Sequence, residues 1–266
     1  MAKKRIKTQS ITYKISLEEL HLLLIKIKDL TKLDNTIIMN FSNTEILLFS
    51  IVGKNLDNVH SFKSHKIPIN EIFKSNKMEL QNDIRYILSD GKRFATSISV
   101  FYKYMVTQKI EDDLEFKLFY NELFCEKLLI KNSKSKEETP GGKPNNDTHR
   151  LNVDDIDDVM DTDISDFSFD LSKEDYIYIK AKLGIEKDND ILYLNINNNK
   201  LSIGENRWDH NICEIEQDDM TISFPKKYFK CINYENEENM KIYVTDTMLL
   251  VIGDTTNLLI TTELYV

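Results

Sequence analysis

Between Phe167 and Gly204 the spacing of apolar positions changes period twice. Phe167, Phe169 and Leu171 are separated by Ser168 and Asp170, a two-residue alternation that predicts a strand. Ser172 follows, with Asp175 three positions on, a capping-box-like helix start. Tyr176, Ile179 and Leu183 then fall at helical spacing. From Asp190 the period returns to two, with Leu192, Leu194 and Ile196 on one face of a second strand. Asn197-Asn198-Asn199 makes a tight turn, and Leu201 to Ile203 begins the returning strand. The unit is strand, helix, strand, turn, strand.

The same order of elements occurs four times. Near the start, Ile11–Ile15 is a strand, Ser16 and Glu19 open a helix over Leu17–Leu33, and Ile37–Phe41 and Ile46–Ile51 are strands around Ser42-Asn43-Thr44. A third copy begins at Phe94: Ser97–Ser99 is expected to end a strand, Val100–Ile110 to be helical, and Leu114–Tyr120 and Leu123–Lys131 to be strands. The fourth has a strand through Thr221–Ser223, a helix opened by Pro225, and strands Met240–Thr245 and Met248–Gly253. Thr255–Val266 reads as one more strand. Between the first and third copies, Asn55–Lys63 reads as a polar loop, Ile69–Phe73 as a helical turn and Ile84–Leu88 as a strand. A repeated supersecondary unit is a stronger fold signal than any single motif. Two helices side by side can cover a sheet face that one cannot, so the copies pair, first with third and second with fourth. The fold class is α+β, in two similar domains, each with two helices on antiparallel sheets.

This repeated pattern resembles the sliding-clamp family of DNA polymerase processivity factors. The resemblance is strongest in Thr221-Ile-Ser-Phe-Pro-Lys-Lys-Tyr-Phe-Lys, Met240-Lys-Ile-Tyr-Val, Leu249-Leu-Val-Ile and Leu259-Ile-Thr-Thr-Glu-Leu. The two-domain length looks most like clamps of tailed bacteriophages and, more distantly, PCNA. The resemblance implies two clamp domains, 1–135 and 167–266, joined by an acidic connector over 136–166. It also implies a ring of three subunits around double-stranded DNA, with a DNA polymerase and a clamp loader as partners and the host-cell cytoplasm as the place of work.

Charge sharpens that expectation. The 266 residues carry a formal net charge of −9, which does not suit a DNA-binding protein until the charge is located. The four candidate helices (Leu17–Leu33, Ser99–Ile110, Lys173–Leu183, Pro225–Ile232) hold eleven lysines and five acids. The rest of the chain is therefore strongly acidic. In a clamp, basic helices line the hole and meet phosphates without reading sequence. The candidate DNA contacts are Lys26, Lys28, Lys103, Lys109, Lys180, Lys182, Lys226, Lys227 and Lys230. Any one of these lysines alone is more simply an ordinary helix-surface residue.

Lys131 to Thr148 has nothing to build a core with and reads as a flexible linker. Seven aspartates between Asp154 and Asp166 follow, interleaved with apolar residues of which Ile156, Val159 and Met160 suit a short amphipathic helix. In a clamp the partner pocket lies beside this connector and the C-terminus, which makes Val153, Ile156, Val159, Met160 and Tyr265 candidates for partner contact. An EF-hand loop starting at Asp154 would need glycine where Val159 stands and glutamate where Ser165 stands, so a calcium site is not expected.

Cys125, Cys213 and Cys231 lack metal-ligand spacing and read as buried thiols. No stretch is long and apolar enough to span a membrane. Metalloprotease, nucleophile-elbow, Walker and dinucleotide signatures are absent, so neither an active site nor a cofactor is expected. The five histidines are scattered, and His21 reads as a surface side chain. Trp208, the single tryptophan, reads as a partly buried sheet or loop aromatic. Two alternatives stand beside the clamp: a structural or adaptor protein of a viral complex, and an open, monomeric clamp-like processivity factor.

Overall fold

The computed structural model describes residues 8–53, 59–74, 80, 83–110, 113–121, 124–142, 160–185, 191–232, 234, 237, 239–254 and 257–265. The chain divides into two compact units, Met1–Ser50 with Ser64–Asn152, and Ile51–Lys63 with Val153–Val266.

The first unit contains β1 (Gln9–Ile15), α1 (Leu17–Leu30), β2 (Ile37–Phe41), most of β3 (Glu45–Gly53), the end of β4 (Val59–Pro68), α2 (Ile69–Ile72), β5 (Ile84–Leu88), α3 (Gly91–Thr107), β6 (Leu114–Asn121), β7 (Phe124–Lys131) and β8 (Lys136–Pro140). Each half of the repeat lends its first strand to the other half. β1 pairs antiparallel with β6, and β2 pairs antiparallel with β5. The helices bury Leu20, Leu23 and Ile27 of α1 and Phe94, Ile98 and Phe101 of α3 in one core with Ile15, Met39 and Phe116.

The second unit repeats that exchange. It contains β9 (Phe167–Asp170), α4 (Lys173–Ile185), β10 (Ile191–Asn197), β11 (Lys200–Glu205), β12 (Trp208–Glu214), β13 (Met220–Pro225), α5 (Lys226–Phe229), β14 (Met240–Val244), β15 (Met248–Gly253), β16 (Asn257–Thr261) and β17 (Glu263–Tyr265). β9 pairs with β14 and β10 with β13, both antiparallel. Each unit is thus a pair of strand-helix-strand-strand copies related by exchanged first strands, the pairing of copies that the repeats imply.

Local chemistry explains the helix starts. At α1 the Ser16 N–H donates to Glu19 Oε2 at 2.5 Å, and the Glu19 N–H donates to Ser16 Oγ at 3.2 Å, a closed capping box. Ser16→Ala is expected to lower the stability of the first unit by about 1 kcal/mol, read as a lower midpoint in thermal or denaturant unfolding. At α3 the Asp90 carboxylate caps the Arg93 N–H at 3.0 Å and accepts from Asn35 Nδ2 at 3.2 Å. These hydrogen bonds, the Arg93 one foremost, hold the Asp90 carboxyl below its ordinary range.

Several expectations are corrected. The segment Ser97–Ser99 is helical, not the end of a strand, because α3 begins at Gly91. Thr96 Oγ1 donates to Lys92 O at 2.8 Å and Ser99 Oγ to Ala95 O at 2.6 Å within the helix, while Ser97 Oγ donates across to Glu137 Oε1 of β8 at 2.5 Å. The strand of that copy is β5. The polar stretch to Lys63 is a strand from Val59, not a loop: Ser61 Oγ donates to Leu259 O at 2.8 Å, a partner 198 positions away. The linker begins later than expected, since Lys136–Pro140 pairs with β7 as β8; residues 143–159 lie outside the described residues. The fourth helix is one turn of four residues rather than eight. Beyond it the backbone tightens to three-residue bonds, Cys231 N–H to Tyr228 O and Ile232 N–H to Phe229 O. The final strand is two: the Thr262 N–H turns aside to Thr247 O at 2.8 Å, so β16 pairs with β15 and β17 with β13.

Candidate nucleic-acid interface

A helix that buries one face on a sheet presents the opposite face outward, and residues spaced 4, 3 and 4 apart form one row along it. On α3 that row is Lys92, Thr96, Ser99 and Lys103, opposite the buried Phe94, Ala95, Ile98, Phe101 and Met105. Gly91–Thr107 contains no acidic residue. Arg93 is exposed one position along, and Lys109 is exposed just past the helix end with φ 51°, the left-handed conformation of a C-terminal cap. Lys92 and Arg93 were missing from the sequence-derived set because the helix was expected to start at Ser99. The signal that would have found them is the Asp90 cap followed by Phe94, Ile98, Phe101 and Met105 at helical spacing.

The other helices differ in how much charge they present. α4 exposes Lys173 and Lys180 and half-exposes Lys182, whose ammonium lies 5.5 Å from the Tyr178 ring centroid. α5 and the residue after it expose Lys227 and Lys230. On α1 the outward row is His21, Ile25, Lys28 and Lys32, with Lys28 exposed and Lys32 3.2 Å from Asp29 Oδ1.

Two of the nine candidate lysines are corrected. Lys226 is buried, and its ammonium sits 2.7 Å from Glu205 Oε1 in a buried ion pair. Lys26 is buried on α1, at 8% exposure. A lysine held inside presents no charge to a phosphate. Lys28, Lys103, Lys109, Lys180, Lys227 and Lys230 are exposed.

Each unit also has a sheet edge beside a helix. In the first, β8 pairs with β7 and with no other strand among the described residues. A cleft of about 570 Å³ separates it from α3, lined by Arg93, Val100, Tyr104, Ser135 and Lys136 among others. Val100 is 64% and Tyr104 44% exposed. These two lie on the β8 flank of α3, beside the basic row. In the second unit β12 pairs with β11 only among the described residues. There His210 Nε2 lies 2.7 Å from Asp175 Oδ1, and the imidazole stacks on Tyr178 of α4 at 4.4 Å. Tyr178 is 42% exposed.

Of the residues expected at a partner pocket, Val153, Ile156 and Val159 lie outside the described residues. Met160 is buried at 8%. Tyr265 ends β17, its backbone opposite Thr221 of β13, and its side chain is not among those described. Cys125 and Cys231 are buried as expected, and burial pushes the Cys125 thiol up to about 12. Cys213, on the edge strand β12, is exposed rather than buried. Trp208 is half-buried at the start of β12. Among the described residues no three His, Cys, Asp or Glu side chains are grouped to hold a metal ion, and no helix is long and apolar enough to cross a membrane.

Neither a family model nor a curated protein matches the sequence. Solved structures do match the fold. A Helicobacter pylori beta clamp bound to a DNA ligase peptide is similar over 95% of this chain and 66% of its own, at 12% identity and a TM-score of 0.59. DNA polymerase III subunit beta from Borrelia burgdorferi is similar over 94% of this chain and 64% of its own, at 13% identity and a TM-score of 0.65. A putative DNA polymerase III beta subunit from Eubacterium rectale is similar over 98% and 67%, at 13% identity and a TM-score of 0.61. The chain spans about two thirds of the length of these structures, and for several of them slightly less.

Proposed function

We propose, from the sliding-clamp fold that the chain adopts, that it encircles duplex DNA and tethers a DNA polymerase to it. The observation that carries this reading is the outward row of α3, basic and without an acid, on a chain whose net charge is −9. Only a molecule that sorts its charge this way holds phosphates on one face while the rest of its surface repels them. The duplex contacts are Lys28, Lys92, Arg93, Lys103, Lys109, Lys180, Lys227 and Lys230, with Lys182 beside Tyr178. Such contacts read no sequence, so the ring slides. The tether raises the effective concentration of polymerase at the primer end, which requires no active site in the clamp. A clamp loader, soluble in the same cytoplasm, is the partner that opens the ring, and Val153, Ile156, Val159 and Tyr265 are the proposed docking residues for both.

The ring reading rests on the two edges. An unpaired strand flanked by exposed apolar side chains is a surface that another strand covers. β8 with Val100 and Tyr104 stands at one such edge, and β12 with Tyr178 and His210 at the other. Two different edges on one chain associate head to tail, and such contacts close into a ring when the rotation allows. The ring is a homotrimer of two-domain subunits, as in clamps of the phage and PCNA type. What favours two domains per subunit is length and division: the chain spans about two thirds of the matched structures and divides into two compact units.

Molar mass in solution tests the assembly. The expected value is about three times 31.2 kDa. Val100→Asp with Tyr104→Ser is expected to reduce it to that of the monomer while changing the unfolding free energy of the subunit itself by no more than about 0.5 kcal/mol, because both side chains are exposed. Stimulation of a polymerase on a primed circular template, lost in that variant, tests the function. A monomer at every concentration that still stimulates synthesis would replace the ring by an open processivity factor; no ring and no stimulation would favour a structural role.

A further inference from the structure

The outward row of α1 is His21, Ile25, Lys28 and Lys32, spaced like the basic row of α3. It is the poorer in fixed charge. Lys26 is buried, Lys32 is drawn to Asp29, and Glu18 and Glu19 stand in the first turn. His21 is exposed at the head of this row, and its ring is stacked on Tyr102 of α3, centroids 4.8 Å apart and planes 20° apart. The stack ties the imidazole to the neighbouring helix and limits its rotation, so it stands on the shared outward face of α1 and α3 rather than sweeping through solvent. Imidazole changes charge between pH 5 and 8, where lysines do not.

Resting on the duplex-binding reading above, we infer that His21 is a phosphate contact of the helix face, held by Tyr102, and that it makes duplex binding depend on pH. Protonation adds one positive charge to the row that ends in Lys28 and Lys32. The charged and titratable side chains on the elements packed around it are Glu18, Glu19 and Lys28 on α1, Lys92, Arg93, Tyr102 and Lys103 on α3, and Glu71 on α2. Each ion pair to B-form phosphate adds about 0.9 to the slope of log K against log salt. The slope for the wild-type protein is therefore steeper by about 0.9 at pH 5 than at pH 8, the range over which imidazole changes charge, an extra loss of affinity of about 3-fold between 50 and 200 mM salt.

The experiment is a salt titration of binding to a short linear duplex with free ends, at both pH values, for the whole chain. His21→Gln is expected to give one slope at both pH values, and His21→Lys the steeper slope at both. His60→Gln, on an exposed side chain of β4 outside both proposed ring edges, serves as the comparison and keeps the wild-type pH dependence. Because His21 is exposed, each variant should unfold with an unchanged midpoint. Binding with a slope indifferent to pH, or a pH dependence that survives in His21→Gln, overturns the assignment and leaves the clamp reading standing. Absence of wild-type duplex binding at either pH overturns both.

Discussion

Replacing Lys92, Lys103, Lys180 and Lys227 together by Gln is expected to lower the slope of log K against log salt for duplex binding by about 3.6, at about 0.9 for each phosphate contact removed. Clamp-dependent synthesis at moderate salt should fall with it. The four side chains are exposed on three different helices, so neither the unfolding midpoint nor the molar mass should change. The effect should be nearly the same on every duplex sequence, because phosphate contacts carry no base information. Lys226→Gln is the instructive contrast. Its ammonium lies against Glu205 in the interior, so its loss leaves a buried carboxylate without its partner and shows in stability rather than in the salt slope. A quadruple variant that binds duplex with the wild-type slope would remove the helices from the DNA-facing surface.

Gly141→Ala is expected to destabilise the first unit by about 3 kcal/mol or more, measured by denaturant unfolding. A Cβ at this position would stand 2.0 Å from the carbonyl oxygen of Cys125 and 3.2 Å from the Tyr86 ring. Backbone cannot yield as the tip of a side chain can. The close approach has a cause in hydrogen bonding: the Gly141 N–H donates to Glu126 O at 2.7 Å, and the Gly142 N–H donates to Ile87 O at 2.6 Å. The two glycines thus pin the chain leaving β8 across β7 and β5. Because β8 forms one of the two proposed ring edges, the same substitution should weaken assembly. Gly184→Ala is the matched control. Nothing lies within 4 Å of its Cβ position near the end of α4, and alanine there is expected to stabilise by about 0.5 kcal/mol.

That most of the candidate lysines are exposed was legible from helical spacing and charge. Lys26 and Lys226 are the exceptions, because a helix read from sequence alone shows solvent on faces that the fold covers. Lys26 is buried on α1, and Lys226 on a one-turn helix is paired with Glu205 at the end of β11. The role of the glycine pair has no local signature, since it depends on Ile87 and Glu126, neither of them a near neighbour in the chain. The α3 start was misplaced by a hydroxyl-rich run, Thr96 to Ser99, whose back-bonds to Lys92 and Ala95 exist only once the helix does.

Local periodicity and capping determined by themselves that the chain is α+β, that strand, helix, strand and strand recur four times, and that most helices are basic. Those features depend on neighbours within a few residues, and the sequence displays them directly. The exchange of first strands between copies, the strand at Val59–Lys63, the division of the last strand between two sheets, and the placing of Lys26 and Lys226 indoors were decided by tertiary structure. Each depends on a partner far along the chain, as Ser61 depends on Leu259, and no local pattern encodes which distant backbone will supply the missing hydrogen bonds.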